Sequence, residues 1–110
     1  MDVPVPGTGE MDKLDIEIQF FEGCPNSMEL IDRVRKALEK LGIAYSYRET
    51  LVESYEFAKR ISFRGSPTLL INGIDFENAE PPDNPGMNCR VYQGHLPTEK
   101  ELVEKFKSVT

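Results

Sequence analysis

Cys24 and Cys89 are the two residues of this 110-residue chain best equipped for covalent chemistry, and the first occupies a telling joint. The stretch FFEGCPNSMEL, Phe20 to Leu30, puts Cys24 between Gly23 and Pro25, after a strand-like run and before an amphipathic helical pattern. A thiol at a helix start lies where unpaired backbone amides and the helix dipole favour negative charge, which raises its thiolate fraction near neutrality. Gly23 lets the backbone approach closely, and Pro25 presets the first turn. The competing reading is a small buried hydrophobe, because free cysteine is among the most buried residue types. Placement at a Gly-Cys-Pro joint favours the reactive one.

The third residue after Cys24 is Ser27, so a local C-x-x-C pair is absent. Cys89, far along the chain, is the remaining thiol; on burial statistics it is expected to be a buried structural residue. If it lay near Cys24, a disulfide would need Cα atoms within about 7 Å. The segment RGSPTLLING, Arg64 to Gly73, places Ser66, Pro67 and Thr68 at the mouth of an apolar strand. A proline there cannot donate to a ladder and marks the strand start, and the dipeptide alone favours a trans bond. His95 is expected to be a solvated loop residue. Asp75, Glu77, Glu80 and Asp83 match no calcium spacing and are expected to solvate a loop. With two Cys and one His a structural zinc site lacks ligands, and no P-loop, dinucleotide fingerprint, HExxH or serine elbow is present.

Periodicity supplies the elements that hold these residues. Leu14, Ile16, Ile18 and Phe20 alternate with Asp15, Glu17 and Gln19, which predicts a strand. Leu30, Ile31, Val34, Leu38 and Leu41 recur at helical spacing up to Gly42, with Asn26 or Ser27 as the expected cap. A second strand is expected over 43–49, a short helix over 54–61, and a buried strand over 67–73 turning at Asn72-Gly73. IDFE reads as a return strand and CRVY, Cys89 to Tyr92, as a short edge strand. Thr98 and Glu101 form a capping box before a closing helix that carries Leu102, Phe106 and Val109. Residues 1–12, rich in Pro and Gly, read as a disordered leader, with Met11 as a possible translation start, and 13–110 as one domain. The order implies an α/β fold with a mixed central sheet and helices on both of its faces, a three-layer α/β/α arrangement.

Nineteen Asp and Glu against thirteen Lys and Arg give a net charge of −6, which disfavours nucleic acid and anionic membranes as partners. No apolar run is long enough to span a bilayer, and two cysteines do not make a disulfide scaffold. A reducing compartment, the cytoplasm, is therefore expected.

A strand ending in Gly-Cys-Pro, a helix, and Gly-Ser-Pro-Thr before a further strand resemble the thioredoxin superfamily. The match is closer to small prokaryotic thioredoxin-like proteins, through Phe21 to Asn26, Phe63 to Thr68, and Cys89 to Tyr92. Such sequences are sometimes grouped as alkylmercury-lyase-like. The resemblance covers about Leu14 to Phe106. It implies a thioredoxin-like fold, Cys24 as the redox cysteine, and a cis-proline loop at Ser66-Pro67 facing it and pairing with a substrate chain. The second active-site cysteine and the tryptophan are missing, and the C-x-x-S arrangement resembles monothiol glutaredoxins. The implied activity is thiol–disulfide exchange by Cys24 with a thiol or disulfide substrate, a protein among the options. Ser27 would hydrogen-bond its sulfur, Pro25, Ser66, Pro67 and Thr68 would shape the substrate site, and no bound cofactor is implied. Glutathione, with Arg64 near its carboxylates, or less favourably Cys89, would resolve the mixed disulfide. The other reading is a non-catalytic module that binds a peptide, or a soft ion such as mercury or copper(I) through Cys24 and Cys89. An iron–sulfur cluster shared between two chains is a weaker third.

Overall fold

The structure, a computed structural model, describes residues 14–90, 92 and 95–109, so the leader expected over 1–12 lies outside the described residues. The chain forms β1 (Leu14–Phe20), α1 (Pro25–Leu41), β2 (Tyr45–Leu51), α2 (Tyr55–Arg60), β3 (Thr68–Ile71), β4 (Ile74–Asp75) and α3 (Glu99–Ser108). Among the described residues this is a mixed α/β fold with three helices and a four-stranded sheet ordered β2-β1-β3-β4. β1 runs parallel to β2 and antiparallel to β3, and β3 runs antiparallel to β4. No described helix is long and apolar enough to cross a membrane.

The period-two pattern of β1 decides which face is buried. Leu14, Ile16 and Ile18 are fully buried against Leu30, Val34 and Leu38 of α1, Leu69 and Ile71 of β3, and Leu102 and Phe106 of α3. Each large side chain removed from water there contributes about 1.5–3 kcal/mol, which makes this cluster the main adhesive of the fold. The alternate residues of β1 are polar: Asp15 and Glu17 accept from Arg48 at 2.9 and 3.0 Å, and Glu17 also accepts from Thr50 at 2.6 Å. The six-residue α2 buries Ala58 in a separate, smaller cluster with Val52 and Phe63, flanked by Phe21 and Met87. Phe21 shares the parity of Asp15 and Glu17, so this second cluster begins where the polar alternation of that face stops.

The local signals that delimit these elements act as expected in most places. Gly42 closes α1 in the left-handed region (φ 70°), Thr98 and Glu101 complete the capping box of α3, and Asn72 and Gly73, both at positive φ, turn β3 into β4. The second strand lies two residues later than the alternation indicates, because it registers against β1 from Leu14↔Tyr45 to Phe20↔Leu51. Neither Asn26 nor Ser27 caps α1. Cys24 is the N-cap, without a side-chain cap bond, and Pro25 opens the helix.

The expectation for Asp75 is overturned. It is buried in β4, where its carboxylate accepts two bonds from Arg90, at 2.6 Å from Nη1 and 2.8 Å from Nη2. The backbone amides of Glu77 and Ala79 donate to the same carboxylate at 2.9 and 3.0 Å. Arg90 in turn stacks over the Tyr92 ring, 4.4 Å from its centroid. Burial opposes ionisation of Asp75, yet the Arg90 guanidinium and the two amides outweigh it and hold the carboxyl below its ordinary value. A charge that is buried but fully paired ties Arg90 to the sheet edge.

Asp75→Ala, by leaving the buried Arg90 only its 3.4 Å contacts with Glu77 Oε1 and Thr68 Oγ1, should destabilise the protein by up to about 3–5 kcal/mol in urea unfolding. Because the folded-state pKa is depressed, the stabilisation from Asp75 is complete above its ordinary value of 3.8 and disappears as pH falls through the lower folded value. The variant should lack that acid-sensitive part; an equally steep acid loss in both proteins would refute the assignment.

Candidate functional site

Three segments distant in sequence meet at Cys24. The first is the β1–α1 joint. Because Cys24 is the N-cap, its backbone is extended (φ −89°, ψ 112°), its carbonyl accepts the first-turn amide of Ser27 at 3.1 Å, and no acidic residue sits in the first turn. The dipole end of α1 is thus left to whatever charge Cys24 carries.

The second segment is Gly65-Ser66-Pro67. Gly65 has φ 105°, and a Cβ built on it would lie 2.9 Å from the Arg90 Cβ and 3.2 Å from the Asn88 carbonyl, so only glycine admits the third segment this closely. The Ser66-Pro67 bond is cis, where the dipeptide alone favours trans. Ser66 Oγ lies 2.9 Å from Ser27 Oγ and accepts the amide of Phe21 at 3.2 Å, which ties the proline loop to the helix start.

The third segment is Asn88-Cys89-Arg90. Ser66 donates its amide to the Asn88 carbonyl and accepts the Arg90 amide at its own carbonyl, both at 2.8 Å, forming a parallel bridge between Ser66 and Cys89. Tyr92 donates its hydroxyl to the Pro67 carbonyl at 2.8 Å. The edge strand expected over 89–92 is therefore this isolated bridge; Val91 lies outside the described residues.

The bridge sets the sulfur geometry. Cys89 Sγ donates toward Cys24 Sγ at 3.7 Å, and Cys24 Sγ in its thiol form donates toward the Ser66 carbonyl at 3.5 Å. Both cysteines are free. Cys24 is 5% exposed, whereas Cys89 is exposed, which corrects the expectation of a buried structural residue. Its side chain points outward and across because the bridge leaves its backbone at the loop edge, with Arg90 taking the inward position.

Burial opposes ionisation of Cys24, but the Ser27 and Ser66 hydroxyls, the Cys89 thiol and the Asn26 amide gathered around the sulfur favour its charged form and outweigh burial, so its pKa falls below the ordinary thiol value. The hydrogen bond to Cys24 and its negative charge push Cys89 the other way. Of the two thiols Cys24 is therefore the first to ionise, with Cys89, still protonated, placed to donate to it. A cleft of about 400 Å³, lined by Phe20, Phe21, Glu22, Gly23, Ser27 and Met28, opens beside Cys24.

Of the sequence candidates, Cys24, Ser27, Ser66, Pro67 and Cys89 converge here. Pro25 is exposed at the first position of α1 and shapes the helix start. Thr68 is buried and donates to the Gly65 carbonyl at 2.5 Å, bracing the loop. Arg64 is not held at the thiol by any described contact: its Nε donates to the Ala79 carbonyl at 2.8 Å. His95 is exposed beside Glu101 at 3.1 Å. Asp75, Arg90 and Tyr92 were given no site role from the sequence, although Cys89 to Tyr92 was one of the elements that carried the resemblance. Among the described residues no three His, Cys, Asp or Glu side chains converge to hold a metal ion. Compared with family models, with curated proteins and with solved structures, the chain matches none.

The pH profile of iodoacetamide alkylation, read at each cysteine by peptide mapping, should place Cys24 below the usual thiol range near 8.5 and Cys89 above Cys24. Ser27→Ala and Cys89→Ala should each move the Cys24 profile upward, since each removes a donor to the thiolate. Profiles for Cys24 that ignore both substitutions would contradict the hydrogen-bond account.

Proposed function

We propose that this chain is a thioredoxin-like thiol–disulfide oxidoreductase in which Cys24 attacks and Cys89 resolves. The observation that carries the reading is the 3.7 Å contact between the two sulfurs across the Ser66-Pro67 loop. The helices fit the three-layer arrangement of that family, with α1 and α3 sharing one core and α2 seated in the other cluster. The antiparallel proline strand beside β1 and the cysteine at the head of α1 fit it as well.

In the reaction, the Cys24 thiolate attacks one sulfur of a disulfide R–S–S–R. The R–S–S–R bond breaks, a Cys24–S–S–R bond forms, and RS⁻ leaves. Once Cys24 is no longer an anion, the hydrogen bond and charge that held the proton on Cys89 are gone. Cys89 then loses its proton to the departing thiolate or solvent and attacks Cys24 Sγ, expelling the second RS⁻. The protein has given up two electrons, the substrate has become two thiols, and a Cys24–Cys89 disulfide remains. Glutathione is thus not needed as resolver, since a thiol in van der Waals contact replaces a diffusing one. Ser27 and Ser66 stabilise the attacking anion, and a dithiol reductant would close the cycle.

The same sulfur pair favours one other reading, a two-thiolate site for a soft ion such as mercury or copper(I). Bis(2-hydroxyethyl) disulfide, followed by intact mass, separates the two. In the exchange reading the wild type ends lighter by two hydrogens with both cysteines blocked. Cys89→Ser accumulates the Cys24 mixed disulfide, and Cys24→Ser forms neither product. Exchange at Cys89 in Cys24→Ser as fast as that of the wild type, or a wild type inert to the disulfide yet binding one mercuric ion per chain, would overturn it.

A further inference from the structure

The edge of the proline loop that would pair with a polypeptide substrate is already occupied by the chain itself. Strand addition to such an edge works through free backbone donors and acceptors, which here means the amide and carbonyl of Ser66. Both are taken at 2.8 Å, by the Asn88 carbonyl and the Arg90 amide. The 88–90 segment lies in the place of a substrate strand and presents its own cysteine sulfur to Cys24 at 3.7 Å.

This occupant is anchored rather than laid loosely over the site. Arg90 is 8% exposed and holds Asp75 through two bonds, and Tyr92 reaches over to the Pro67 carbonyl. Gly65 brings the two backbones into close contact. An incoming peptide could pair with Ser66 only by displacing a segment whose departure unpairs a buried arginine and aspartate. Among the described residues a cleft of about 400 Å³, lined by Cys24 with Phe20, Phe21 and Met28, offers another approach. That volume suits a compact molecule, and reaching the sulfur through it requires no pairing along Ser66.

The geometry points to a small, non-polypeptide disulfide as the substrate class of this site, an inference that rests on the exchange reading above. Residues 88–90 are the selectivity element: they supply the resolving thiol and, by the same hydrogen bonds, close the edge to extended chains. The chemistry is that already written, with R a small organic group, two electrons passing from the cysteine pair to the substrate and two small thiols released.

The test compares single-turnover loss of the Cys24 thiol, followed by mass, with two probes. One is bis(2-hydroxyethyl) disulfide. The other is a short unstructured peptide whose cysteine carries the same 2-mercaptoethanol group in a disulfide. Rates are normalised to those of free glutathione with each probe, which removes intrinsic reactivity. The small disulfide should be favoured roughly tenfold to a hundredfold, the factor expected when two backbone hydrogen bonds must be exchanged. Tyr92→Phe, a mild change, and Arg90→Leu, a severe one, should both shrink that ratio by loosening the segment. Tyr92→Phe carries the test if Arg90→Leu does not fold. Equal normalised rates in the wild type, or a ratio untouched by loosening, would overturn the inference while leaving thiol exchange intact. No reaction with either probe would overturn the exchange reading itself.

Discussion

The bridge between Ser66 and Cys89 is the constraint on which the site depends. Two backbone hydrogen bonds of 2.8 Å fix where residue 89 stands relative to the proline loop, and that loop is fixed to the head of α1 by Ser27 and Ser66. Neither bond is strong alone, since a net contribution near 1 kcal/mol each is usual. They hold because their surroundings permit no other arrangement: glycine at 65 removes the Cβ that would push the segment away, and Arg90 is locked into the sheet edge by Asp75. A contact between two sulfurs is thus maintained by groups that carry no sulfur chemistry.

The same arrangement explains how two thiols in contact acquire different roles. Left to burial alone, Cys24 would resist ionisation, being the more enclosed of the two. Hydroxyl, thiol and amide donors converge on it, while Cys89 faces solvent with a negative neighbour. Position at the helix head adds in the same direction, with no first-turn carboxylate to compete for the dipole. The buried sulfur thus ionises ahead of the exposed one, which donates to it, the reverse of what exposure by itself would give.

Much of the frame was legible from periodicity, because α1 and β1 each bury one uninterrupted apolar face and the caps at Gly42 and Thr98 are local chemistry. Cys24 was legible for the same reason: Gly-Cys-Pro between a strand and a helix is a local pattern. What eluded the sequence was nonlocal. Asp75 reads as one acid among several on a loop, and only its partner Arg90 makes it a buried ion. Cys89 reads as a core residue because cysteine usually is one; its outward side chain follows from a bridge whose other half lies in a different segment. The cis bond at Ser66-Pro67 was indicated by the resemblance and not by the dipeptide, while the late start of β2 depends on its register against β1.

Effective molarity is the quantity that tests the central claim most directly, namely that the fold itself holds Cys24 and Cys89 as a pair. It follows from the fraction of Cys24–Cys89 disulfide at equilibrium across glutathione redox buffers, measured in the native protein and again in concentrated urea. Preorganisation by the Ser66 bridge predicts a native value higher than the unfolded one by at least about 10²-fold, modest against the range known for well-oriented groups. Equal values in the two states would mean that the fold does nothing for the pair, and would contradict the account.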